Sequence, residues 1–190
     1  MNGKKPTTSS QTYVVNVEDK PGVLNRIASL FRRRAFNIES LTVGRTDRPG
    51  VSRMTIVMHG DDSDATRFEA NLYKLVTVLR VENVSSTATV LRDLALIKVK
   101  AEPEERSKVL QICEVFRARV VDVALNALII EITGTEEKIE GLTDVLKPFG
   151  IIEMVRTGRV AMSRGSHATS MDPHFVHARV PDDPRVRSAI

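Results

Sequence analysis

The chain has no tryptophan and a single cysteine, Cys113, among its 190 residues. One cysteine excludes an internal disulfide framework and a cysteine-rich metal site. Cys113 lies on the apolar side of a helical pattern, which predicts a buried thiol and not a nucleophile. Aromatic residues make up only 4% of the sequence, so we expect an aliphatic core.

Long apolar runs are also missing: none approaches the ~20 residues that a membrane span requires. The polar start of the chain, residues 1–12, lacks the apolar segment of a secretory signal. We therefore expect a cytoplasmic protein that does not bind membranes. The net charge of +4 is modest, and part of the excess is concentrated in Arg32, Arg33 and Arg34.

No combination of residues predicts a catalytic or metal site. His59 is the only histidine before residue 167 and is expected to be structural or solvated. The acidic run from Asp61 to Asp64 lacks the glycine and the distant glutamate of an EF-hand loop, so it is interpreted as a helix cap. His167, His174 and His177 lie in an aperiodic tail, where metal binding would carry a large ordering entropy.

Hydrophobic periodicity predicts the order strand, helix, strand, strand, helix, strand, and this order occurs twice. In the first half the strands are Tyr13–Val17, Ile38–Gly44, Met54–Met58 and Val76–Val84, with one helix from Pro21 at its first position and one after Asp61. In the second half the strands are Leu94–Ala101, Val120–Val123, Leu128–Ile132 and Ile151–Val155, with one helix from Pro103 and one capped by Thr135.

This order predicts an α+β protein made of two ferredoxin-like βαββαβ domains in tandem. We place a flexible arm at residues 1–10, the first domain at 11–92, the second at 93–163 and a disordered tail at 164–190. Each domain is small and leaves one sheet face without helices, which favours self-association through sheet edges or bare faces.

The turn Asp19-Lys20-Pro21-Gly22 joins the first strand to the first helix. Such an entry leaves unpaired N–H groups at Gly22, Val23 and Leu24, whose partial positive charge suits a carboxylate. Asp19 can accept from an ammonium group or cap the helix. Taken alone, the turn is better explained by a purely structural role, in which Asp19 and Gly22 simply form a good turn.

RNA-recognition domains share this fold, so nucleic-acid binding is a structural alternative. Those domains stack bases on strand aromatics, and here Tyr13 is the only aromatic residue in the candidate strands. Arg32, Arg33 and Arg34 are most simply the charged end of a helix. We expect no nucleic-acid partner.

Residues 12–92 resemble an ACT domain, and residues 11–165 resemble the small regulatory subunits of acetolactate synthase, also called acetohydroxyacid synthase. The resemblance rests on the segments Pro21–Ile27, Phe36–Val43, Ser52–Ile56, Leu72–Val76, Glu114–Ala118, Val120–Val123 and Gly158–Gly165. Many members of that family have asparagine at the position of Asp19.

The resemblance implies a noncatalytic subunit that activates a thiamine-diphosphate-dependent catalytic subunit and confers feedback inhibition by a branched-chain amino acid, usually valine. It implies no cofactor in this chain, with thiamine diphosphate, Mg and FAD in the partner. The effector is expected between the ACT domains of a homodimer, with Asp19, Gly22, Val23 and Leu24 on one wall and Asn37 and Ile38 on the other. The alternative is a free-standing ACT-type amino-acid sensor that regulates another enzyme or a transcription factor.

Overall fold

The computed structural model describes residues 9–165. Most of the predicted N-terminal arm lies outside this range, but Ser9 and Ser10 belong to the first strand. The predicted tail also lies outside it, apart from Arg164 and Gly165, as do the three histidines of the tail.

Nine strands and four α-helices form the described part of the chain. No helix in this part is long and apolar enough to cross a membrane. The first six elements are β1 Ser9–Glu18, α1 Val23–Arg34, β2 Ile38–Arg45, β3 Val51–Gly60, α2 Asp62–Leu72 and β4 Val78–Asn83. The others are β5 Thr89–Lys100, α3 Pro103–Phe116, β6 Arg119–Val123, β7 Ala127–Gly134, α4 Glu136–Leu146, β8 Ile151–Arg156 and β9 Val160–Ser163, with a 3₁₀ turn at Lys147–Phe149.

Two antiparallel sheets with the same strand order confirm the predicted tandem ferredoxin-like fold. The first has the order β2-β3-β1-β4 and the second β6-β7-β5-β8, and β9 pairs with β5. The contacts within the chain divide it into two compact units. Residues 91–160 form one unit, and the described residues before and after that range form the other.

The core of the first unit has an aromatic centre, so the prediction of an aliphatic core is wrong here. The ring of Phe68 on α2 lies 4.6 Å from Tyr13, 5.1 Å from Phe31 and 5.1 Å from Phe36, measured between ring centroids. Ring contacts of this kind add to the free energy gained by burial. Half of the chain's eight aromatic residues are gathered at one point, which overall composition does not reveal.

The core of the second unit is aliphatic, as predicted. Alternate residues of β5 and β7 pack against α3 and α4, and Cys113 is buried among them with 3% exposure. Desolvation raises the pKa of the Cys113 thiol, which keeps it protonated and poorly nucleophilic.

The helix-free face of the first sheet is covered, contrary to the expectation of a bare face. Val14 and Val57 point to this face and are 1% and 0% exposed. Arg53, from the same face of β3, donates a 2.7 Å hydrogen bond to the carbonyl of Ala161 in β9. The short strand β9, which sequence periodicity did not detect, therefore returns to the first sheet.

Three helix starts can be compared with their predicted caps. Asp61 accepts a 2.9 Å hydrogen bond from the N–H of Asp64 and caps α2 as expected. Thr135 occupies the cap position of α4, but its side chain makes no capping hydrogen bond. Pro21 lies before the cap of α1, which begins at Val23, so its predicted position as the first helical residue is wrong.

Tyr13 provides a test of the first core at high pH. Burial, followed by the charges of Glu69 and Asp64, raises the pKa of its phenol to about 12. The unfolded chain loses this proton near pH ~10, so the folded state holds more protons between these values and stability falls as pH rises. We expect the free energy of unfolding of the wild type to fall by about 2 kcal/mol more than that of Tyr13→Phe between about pH 9 and pH 12.

Urea denaturation of both proteins across this range measures the difference. All other titrating groups are common to the two, so parallel pH profiles would show that Tyr13 ionises as easily in the folded chain as in the unfolded one.

Candidate functional site

The predicted turn places a glycine at the start of α1 in a conformation that few other residues adopt. Gly22 is the N-cap residue and has a φ of 84°. A Cβ at this position would meet nothing within 4 Å, so the restriction comes from the backbone and not from lack of space. The open space in front of Gly22 leaves room for a ligand.

The first turn of α1 keeps its hydrogen-bond donors largely available. Within residues 9–165 no side chain caps this helix, and its first turn contains no acidic residue. The first helical hydrogen bond runs from the N–H of Arg26 to the carbonyl of Gly22 at 3.0 Å. Val23 donates to the Lys20 carbonyl at a long 3.4 Å, so this N–H is less available than predicted. The N–H groups of Gly22 and Leu24 are therefore the predicted donors that remain suited to a carboxylate.

The side chains that follow the turn have different environments. Val23 is 4% exposed and belongs to the core, so only its backbone can face a ligand. Leu24 is 46% exposed and can offer apolar contact at the rim of the turn.

Asp19 does not cap the helix, which removes one of the two roles predicted for it. Its N–H donates to the carbonyl of Gly50 at 2.8 Å, and its carboxylate lies 3.6 Å from the Nε atom of Arg45. These contacts tie the turn to the hairpin between β2 and β3. Sequence reasoning missed Arg45, because only the register of that hairpin brings the end of β2 beside the turn.

The other predicted wall lies beyond the C-terminal end of α1. Ala35 has a φ of 56°, its N–H bonds to the carbonyl of Arg32, and the N–H of Phe36 bonds to the carbonyl of Phe31 at 3.1 Å. This is a Schellman motif, completed by the contact between the rings of Phe31 and Phe36. It fixes the direction in which the exposed Asn37 leaves the helix.

Ile38 follows Asn37 and opens β2. It is partly buried and packs against the edge of the first core. The core therefore holds one side of the Ile38 side chain, and its solvent-exposed side can make apolar contact.

The strained residue in this motif generates a prediction. Alanine in the left-handed region is disfavoured relative to glycine, so we expect Ala35→Gly to stabilise the protein by about 1 kcal/mol. Thermal or urea denaturation measures this change. The matched control is Ala28→Gly in the exposed middle of α1, which should destabilise by about 1 kcal/mol. Loss of stability in both variants would contradict the assigned helix end.

The two walls do not meet within one chain. α1 has 12 residues and separates them by about 18 Å along its axis. Asn37 precedes the first residue of β2, whereas Asp19 is tied to the last, Arg45. The two walls therefore lie at opposite ends of both α1 and β2.

The corresponding corner of the second unit lacks the same chemistry. α3 begins from Glu102 in an extended conformation, has Pro103 at its start, and carries Glu104 and Glu105 in its first turn. These acidic groups oppose the approach of a carboxylate. Only the first unit, of the two, has a corner suited to an amino-acid carboxylate.

Comparison with known proteins places both halves in one family. The family model for an AHAS small subunit-like ACT domain matches residues 14–80, and the model for the small subunit of acetolactate synthase matches residues 92–165. The chain belongs to the acetolactate synthase small subunits.

Several small subunits are similar along most of their length. The acetolactate synthase small subunit of Mycolicibacterium smegmatis is 48% identical over 158 residues, covering 83% of this chain and 93% of that protein. The Mycobacterium leprae small subunit is 48% identical over 156 residues, covering 82% and 92%. The crystal structure of the Thermotoga maritima small subunit has 39% identity and a TM-score of 0.79, covering 84% of this chain and 99% of that one.

Membership of this family gives the small subunit a regulatory, noncatalytic role beside a catalytic subunit. Among the residues placed by the structure, no three His, Cys, Asp or Glu side chains are grouped so as to hold a metal ion.

Proposed function

We propose that this small subunit activates the thiamine-diphosphate-dependent catalytic subunit of acetolactate synthase and makes it sensitive to feedback inhibition by valine. The observation that carries the proposal is the uncapped first turn of α1, set in an ACT domain of the matching family. Thiamine diphosphate, Mg and FAD belong to the catalytic subunit in this proposal, and the complex works in the cytoplasm.

The effector site is completed by a second copy of the chain. The two outer strands of the first sheet, β2 and β4, differ in whether their outer backbone groups are free to pair with another strand. On β4, the hydroxyl of Tyr73 donates to the carbonyl of Val81 and accepts from its N–H, both at 3.1 Å, which blocks that edge. On β2, no described strand pairs with the outer edge.

Exposed apolar side chains support pairing through β2. Leu41 and Val43 lie on the helix-bearing face, opposite Ile56 and Met54 of β3, and are 36% and 44% exposed. Pairing two copies of β2 would bury these side chains and satisfy the backbone groups of an otherwise open edge.

Antiparallel pairing of the two β2 strands also brings the two walls together. In a two-fold arrangement the end of one strand meets the beginning of the other. The turn tied to Arg45 in one subunit then lies beside Asn37 and Ile38 of the partner subunit. Each dimer contains two equivalent sites in this arrangement.

The chemistry of the assembled site fits a branched-chain amino acid. The N–H groups of Gly22 and Leu24 take the carboxylate, and Asp19 takes the ammonium group. The amide of Asn37 offers both donors and an acceptor. The side chains of Leu24 and Ile38 contact the branched side chain of the effector.

The dimer contact can be tested by introducing a positively charged side chain on β2. We expect Leu41→Lys to shift the protein from dimer to monomer in analytical ultracentrifugation, because two lysines would face each other across the two-fold axis. The control is Val115→Lys on α3, an equally drastic change at a site that is 80% exposed in the other unit. An unchanged dimer in Leu41→Lys would rule out pairing through β2.

The effector site can be tested at Gly22 with two variants of equal shape. Gly22→Asn and Gly22→Asp impose the same backbone strain, and both residue types tolerate a positive φ better than most. Only aspartate adds a negative charge where the effector carboxylate is expected. Calorimetric titration with valine should show weakening in both variants, and at least about tenfold more in Gly22→Asp.

Reconstitution with the catalytic subunit extends this test to function. Wild type and Gly22→Asn should activate the enzyme and permit inhibition by valine, whereas Gly22→Asp should activate without permitting inhibition at the same valine concentration. Equal valine affinity in the Asn and Asp variants would show that the effector carboxylate binds elsewhere.

A further inference from the structure

Arg45 is a charged residue beside the candidate site to which the sequence alone assigned no role. It ends β2, its side chain is 89% exposed, and its Nε atom lies 3.6 Å from the Asp19 carboxylate. The backbone contact from Asp19 to Gly50 holds the turn against the same hairpin. The backbone hydrogen bond holds Asp19 against the hairpin that carries Arg45, and the ion pair joins the two side chains at the mouth of the proposed site.

The pairing of Arg45 with Asp19 offsets a charge repulsion within the proposed site. Asp19 is well placed for an ammonium group, but its negative charge stands next to the donors that receive a carboxylate. The neighbouring Lys20 does not relieve the repulsion, because it lies 3.2 Å from Glu18, whose charge it balances. Among the ion pairs of the described residues, the cation that balances Asp19 is Arg45.

We propose that Arg45 determines the charge selectivity of the effector site: by balancing Asp19 it lets the site accept a zwitterion in preference to a cation of the same shape. The inference rests on the effector site proposed above and adds its selectivity. The charges of Asp19 and Arg45 cancel. The partial positive charge of the α1 N-terminus can then attract the effector carboxylate.

Removal of Arg45 leaves one uncompensated negative charge. That charge attracts any ammonium group and repels only a ligand that also carries a carboxylate. The affected quantity is therefore the preference for valine over valinamide, which keeps the ammonium group and the side chain but has an uncharged amide. Exposed pairs of this kind contribute little to folding, so the variants should keep the wild-type melting temperature.

The experiment is calorimetric titration of the full-length protein with valine and with valinamide. Wild type should prefer valine. In Arg45→Gln the preference should fall about five- to tenfold, the size expected for one charge at the rim of a solvent-exposed site, and the fall should shrink at high salt. In the double variant Asp19→Asn with Arg45→Gln, which is again neutral, the preference should return towards the wild-type value.

Arg48→Gln is the control, because it makes the same change of charge in the same hairpin and should leave the preference unchanged. The inference is overturned if Arg45→Gln keeps the wild-type preference, if Arg48→Gln lowers it equally, or if the double variant does not recover it. Those results leave valine binding by the wild type intact. A wild type that binds neither valine nor leucine nor isoleucine would instead overturn the effector site itself, and the inference with it.

Discussion

The packing of α1 against the first sheet is the interaction on which both walls of the candidate site depend. Phe31 stacks on Phe68 with an angle of 16° between the rings, and Phe36 meets the same ring edge-on at 77°. Tyr13 closes the cluster from the central strand β1. These contacts hold the last turn of α1, so they fix where Asn37 emerges. The buried Val23 and Ile27 hold the other half of the helix and thus the position of Gly22.

The two units share a fold but differ at the helix start that forms one wall of the proposed site. Both α1 and α3 end in a residue with positive φ, Ala35 and Arg117, followed by the same pair of backbone hydrogen bonds. At their beginnings they diverge, since α3 starts with proline and two glutamates. The C-terminal ends of α1 and α3 are therefore alike. Of these two helices, only α1 has a first turn without a side-chain cap and without acidic residues.

The order of the elements and the positions of Gly22 and Asn37 could be predicted from the sequence, because each depends on residues that are close together in the chain. The order of the elements follows from hydrophobic period, and Gly22 and Asn37 stand at the helix ends where their chemistry is recognisable. Arg45 could not be found in this way, because its partner Asp19 lies 26 positions earlier and only strand register joins them. The aromatic cluster and the return of β9 depend on contacts between distant segments in the same way. Ala35 gave no signal, because alanine does not mark a left-handed turn.

The central claim is that each effector site is built from two subunits, and mixing two defective chains tests it most directly. Gly22→Asp damages one wall and Asn37→Ala the other, so each homodimer should have lost most of its affinity for valine. A heterodimer formed by unfolding and refolding the mixture has both defects in one site and none in the other. The account predicts that valine binding returns with wild-type affinity at one site per heterodimer. If the mixture binds no better than its parents, the site lies within a single subunit and the account is wrong.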